Sequence, residues 1–144
     1  MLRDRHGLTF MSSSEAAAEL IVFPALSKIY NYETVKECFN DRANHRIEWF
    51  DLIREDEIKH PGRLTQYIFD NADCYLGMRS MEAFVYQVAK GDVDAIAWVD
   101  RSAHLPADES NKLDEANADW IIDNNGSLKD LKKNVDLFVK TLRF

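Results

Sequence analysis

Two pairs of residues, His45 with Glu48 and Glu57 with His60, have the types and three-residue spacing from which a metal centre or an acid–base pair can be built. On a helix that spacing sets both side chains on one face, and di-metal helical bundles combine two Glu-x-x-His pairs with further glutamates. Only Glu57-Ile58-Lys59-His60 runs in that order, and it abuts Pro61. Asp41, Glu48, Asp51 and Glu55 group on the helix side away from Phe50, which suits a solvated face. A metal-dependent helical hydrolase with His45, Glu48, Glu57 and His60 as ligands is therefore the enzymatic alternative, and the leading reading calls for no cofactor and no catalytic residue. The sequence has no Gly-x-Ser-x-Gly elbow, no glycine-rich phosphate loop and no His-Glu-x-x-His. Cys38 and Cys74 read as small packing groups, His6 as part of a tail, and His104 as a residue near a helix end.

Charge is the more informative feature. The chain of 144 residues has a formal net charge of −7. Between residues 92 and 123 lie nine acids against Arg101 and Lys112, so this stretch alone accounts for a charge equal to the total. Read as a helix over 108–123, it gathers Asp108, Glu115, Asp119 and Asp123 within about 80° on one side, with Leu113, Ala116, Trp120 and Ile121 behind them. Grouped like charges repel, and they are tolerated where they improve solubility or steer an encounter. The expected function is a non-enzymatic acidic binding module, an inhibitor or immunity-type protein that sequesters a basic protein partner. Asp108, Glu115, Asp119 and Asp123 are its contacts and Trp120 a flanking aromatic anchor. A target that itself binds nucleic acid would make the carboxylates mimics of phosphates. An assembly chaperone or scaffold is a further alternative, since it too needs only a charged surface.

Direct nucleic-acid binding is not expected. It requires a basic patch, and only Lys129, Lys132, Lys133, Lys140 and Arg143 near the C-terminus offer one. A membrane role is not expected either. The apolar run 16–26 behind Arg3 and Arg5 is interrupted by Glu19 and is too short to span a bilayer, which takes roughly 20 residues. Two cysteines in no paired motif indicate a reducing, cytoplasmic setting.

Periodicity points to helices almost throughout, so the predicted fold class is all-α: a single compact domain of six or seven helices over 11–144, an irregular helical bundle, behind a loose tail at 1–10. Ser12-Ser13-Ser14-Glu15 forms a capping box that starts a helix over about 14–30, kinked by Pro24. A short helix follows around Tyr32–Phe39. A third, about 41–58, turns Ile47, Phe50 and Ile53 inward, with Trp49 and Leu52 widening the stripe, and stops at His60-Pro61-Gly62. Further helices are expected over 62–75, over 78–90 with Gly91 as left-handed cap, from Asp92 to before Leu105-Pro106, over 108–123, and from Ser127 to the end. The tail from Asp136 has a strand as its alternative.

Overall fold

The computed structural model describes residues 2–142, with side chains from residue 4 onward. It is mostly helical with a few short strands, which corrects the all-α expectation. Contacts divide the chain into two compact units, Leu8–Met78 as one and the flanking segments as the other. That division falls at Met78–Arg79, where composition marks no linker.

In the unit 8–78, Ser12 caps α2 (Ser13–Ala17) through the expected box: its hydroxyl accepts from the Glu15 amide at 3.2 Å, and the Glu15 carboxylate takes the Ser12 amide at 2.9 Å. The expected long helix then continues through a π-turn (Ala18–Val22) into α3 (Phe23–Tyr30). The π-turn is the local answer to Pro24. Proline has no N–H for the Leu20 carbonyl, and the register widens one residue earlier, the Phe23 amide reaching back to Ala18. The Arg63 guanidinium lies 3.4 Å from the Leu20 oxygen that proline cannot serve, and Asp56 holds it there at 3.0 Å. Ala16, Ala17 and Ala18 are all fully buried, so neighbouring backbones approach this helix closely.

A second capping box, Thr34 with Glu37, starts α4 (Val35–Asp41). After a turn, α5 (Arg46–Lys59) begins several residues later than expected and ends at His60 as expected. It is rotated relative to the predicted stripe. Trp49 is buried and Leu52 and Ile53 pack against the core, whereas Ile47 and Phe50 are 77% and 64% exposed. α6 (Arg63–Asn71) follows, packing Leu64 and Ile68 inward. The rest of the expected 62–75 helix is replaced by β2 (Cys74–Leu76), which pairs in parallel with β1 (Phe10–Ser12). Thr9, expected in a loose tail, is fastened beside this pair: its amide and hydroxyl donate to Asp73 at 2.8 and 2.7 Å.

In the other unit, α1 (Leu2–His6) occupies part of the expected tail, and both Arg5 and His6 bond Asp136, the imidazole at 2.8 Å. Ser80 caps α7 (Met81–Lys90), and Gly91, at φ 78°, closes it in the left-handed region as expected. The two helices expected next are absent. Residues 97–100 form β3 and 120–123 form β4, paired in parallel from Ala97↔Trp120 to Asp100↔Asp123. Between them lie turns and a single 3-10 turn, Glu115–Asn117. Both strands are aromatic or β-branched runs ending in aspartate, Trp-Val-Asp and Trp-Ile-Ile-Asp, which favour extended backbone. α8 (Leu128–Leu142) starts at Ser127, whose hydroxyl accepts from the Asp130 amide at 3.2 Å. The helix includes residues 136–142, the described part of the segment for which a strand was the alternative. Arg143, the last member of the expected basic patch, and Phe144 lie outside the described residues. No helix among the described residues is long and apolar enough to cross a membrane.

Candidate functional site

Without a helix over 108–123 there is no acidic helical stripe, and the four expected carboxylates are placed one by one. Asp108 closes a turn onto the Ser110 amide at 2.9 Å and forms an ion pair with Arg79, also at 2.9 Å, so its charge is shared. Glu115 opens the 3-10 turn and is exposed. Asp119 stands at the start of β4, where its carboxylate accepts the Ile96 amide at 2.9 Å while its own amide donates to the Ile96 carbonyl at 2.9 Å. Asp123 stands at the end of β4 and accepts the Asn125 amide at 2.8 Å. Extended backbone rises about 3.3 Å per residue, so Asp119 and Asp123 are about twice as far apart as a helix would set them.

The residue between them changes the character of the surface. β4 alternates: Ile122 is 6% exposed and turned inward, whereas Ile121 is 51% exposed and Asp123 is exposed. Trp120 is half-buried against Phe138 of α8, ring centroids 6.1 Å apart, so it is a packing residue rather than the outward anchor expected of it. The apolar group presented outward is Ile121, with Asp119 before it and Asp123 after it.

Two further residues complete this surface. Asp100 pairs with Asp123 in register across the strands, and Asn125 ties the two ends together, donating from its side chain to Asp100 at 2.9 Å and from its amide to Asp123. The Asn125 side-chain oxygen in turn accepts the Ala103 amide at 2.9 Å, and its carbonyl lies 2.8 Å from the His104 ring. The signal that would have found Asp100 is the repetition of an aromatic-aliphatic-Asp phrase at 98–100 and 120–123.

Four acids of the 92–123 stretch, Asp100, Asp108, Asp114 and Asp123, are thus turn-closing groups, each accepting the backbone amide two residues on. Their carboxylates are held in place. A donated Ser102 amide lowers the pKa of Asp100, and the Ser110 hydroxyl and amide lower that of Asp108. Asp73, Asp130 and Asp136 are lowered in the same way, by Thr9, Ser127 and Arg5 respectively. A carboxylate with a folded pKa below its unfolded value stabilises the fold above the unfolded value and loses that contribution as pH falls through the folded one. Thermal unfolding should accordingly show a Tm that these groups leave flat from pH 7 to about 5 and that declines steadily below about pH 4. A Tm unchanged down to pH 2.5 would contradict these bonds.

The alternative metal ligands are not gathered. His45 lies 3.4 Å from Glu48 and 3.1 Å from Asp41, while Glu57 accepts the Gly62 amide at 3.1 Å and His60 is exposed at the end of α5. Among the described residues no group of three or more His, Cys, Asp or Glu side chains is placed to hold a metal ion. Lys129, Lys132, Lys133 and Lys140 are exposed on α8, where Asp136, bonded to Arg5 and His6, shares their side. Compared with family models, curated proteins and solved structures, the chain matches none of them.

Proposed function

We propose that this chain is a non-enzymatic acidic binding module, of the inhibitor or immunity type, that sequesters a basic protein through its 92–123 region. The observation that carries this reading is the outward face of β4, where half-exposed Ile121 lies between two aspartates fixed by backbone amides. Carboxylates held in place before the encounter lose little side-chain freedom on binding, and the surrounding charge speeds capture of a positive partner. Asp119, Asp123 and Glu115 are the principal contacts, and Ile121 replaces Trp120 as the apolar one. Asp108 contributes less because Arg79 shares its charge. A basic target that binds nucleic acid would meet carboxylates where it otherwise meets phosphates. The free thiols of Cys38 and Cys74 support a reducing, cytoplasmic setting.

The test is affinity capture from the native cell with the full chain as bait at low salt. A basic protein retained at low salt and released at about 0.5 M salt, where the Debye length is only a few ångströms, supports the reading. Retention only of neutral or acidic proteins, or of a partner that high salt does not release, refutes it.

A further inference from the structure

α5 has two apolar sides, and the unit 8–78 covers one of them. Trp49, Leu52 and Ile53 pack into the core. At 100° per residue the opposite side gathers Ile47, Phe50 and Ile58 within about 80°, and these three are 77%, 64% and 71% exposed. A helix that is apolar all round is one covered on more than one side, and large apolar groups clustered on a surface mark a site of contact. From Ile47 to Ile58 the exposed face runs about 16 Å along the helix.

Two charges of opposite sign stand at the middle of this face. On the helical wheel Arg54 falls among the three apolar groups and Asp51 adjoins them. Both are exposed, and neither side chain has a hydrogen bond or ion pair among the described residues. Their positions are symmetric: the midpoint between Ile47 and Ile58 is also the midpoint between Asp51 and Arg54. A second α5 laid antiparallel over the first, with Ile47 opposite Ile58, therefore sets each Asp51 opposite the Arg54 of the other copy. The two Phe50 rings fall on the same flank, offset by about 7.5 Å along the helix, close enough to meet. A parallel pair would instead set Asp51 against Asp51 and Arg54 against Arg54, which repels. A two-fold interface needs a patch complementary to itself, and in the antiparallel arrangement this face has that property.

We propose that α5 pairs with the α5 of a second copy of this chain, antiparallel and about a two-fold axis, through Ile47, Phe50, Asp51, Arg54 and Ile58. One helix face on each side falls short of the roughly 1,200 Å² of total buried surface at which stable complexes begin, so the dimer is a weak one. With a dissociation constant on the order of 100 µM, the chain at about 5 µM is monomeric, and the fold does not depend on the pair. The inference does not rest on the acidic reading and involves only the unit 8–78.

The test is sedimentation equilibrium of the full chain from about 5 µM to about 1 mM. Salt at about 0.15 M screens the repulsion between two acidic chains beyond about 8 Å and leaves contact pairs in place. The average mass should rise from that of one chain toward that of two and follow a monomer–dimer equilibrium. Phe50→Ala and either single reversal, Asp51→Arg or Arg54→Asp, should weaken association about tenfold or more. Both reversals together should restore it to within about threefold of the wild type, because they rebuild the same two ion pairs with their signs exchanged. All three positions are exposed, and far-ultraviolet circular dichroism at about 5 µM identifies the variants that are folded. A mass that stays at one chain up to about 1 mM, growth past two copies, association undiminished in the folded single variants, or a double exchange no tighter than either reversal alone overturns the proposal.

Discussion

Ile68→Ala should destabilise the unit 8–78 by about 3–4 kcal/mol, whereas Phe50→Ala should change its stability by no more than about 0.5 kcal/mol. Ile68 on α6 is fully buried in the cluster with Ala17, Val22 and Trp49, so truncation leaves a cavity that the close-packed alanine face cannot fill. Phe50 is the larger side chain, and area alone would rank it first. It is 64% exposed because α5 turns Trp49 inward in its place. Urea titrations of the two variants, read by far-ultraviolet circular dichroism, check the contrast. Equal losses would mean that α5 is rotated the other way and that Phe50 belongs to the core.

That contrast shows where the sequence is ambiguous. α5 carries apolar residues on every side, so Ile47–Phe50–Ile53 and Trp49–Leu52–Ile53 are both plausible stripes, and contacts from distant segments decide between them. Features set by neighbouring residues are legible. The Ser12–Glu15 box, the stop at His60-Pro61-Gly62, the left-handed Gly91 and the Ser127 start of α8 all follow from short-range hydrogen bonding or backbone sterics. The strands were not legible because three or four residues are too few to show a period of two, and parallel partners lie far apart in the chain. The acidic region misleads for a related reason. Asp and Asn serve equally as polar residues of an exposed helix face and as closers of turns, and Asp100, Asp108, Asp114 and Asp123 all do the second, while Asp119 accepts the distant Ile96 amide. The charge excess was visible from composition. Its arrangement depended on a sheet that the local pattern did not announce.

Replacing Glu115, Asp119 and Asp123 together by Gln, Asn and Asn should slow association with the basic partner about tenfold at low salt. The Tm should stay within a few degrees. Amides are the right substitutions because they remove charge and keep the oxygen that accepts from Ile96 and Asn125. Charge reversal at Asp119 would break the β3–β4 connection and confuse folding with binding. Stopped-flow measurements over a range of salt concentrations separate the two contributions. The wild-type association rate should fall with added salt and converge on that of the amide variant, because screening and neutralisation remove the same term. Parallel salt dependences for the two proteins would place the steering charges elsewhere. Ile121→Ala should leave the association rate nearly unchanged and speed dissociation, since a desolvated apolar contact acts after the encounter.

The most direct test of the binding surface is an amide hydrogen-exchange footprint of the full chain, free and with the captured partner bound. Added protection should concentrate at residues 96–104 and 114–125, the two strands and the turns joined by Asn125, and leave the α5 and α6 amides as they were in the free protein. Protection centred on the unit 8–78, with residues 114–125 exchanging as in the free chain, would contradict the account.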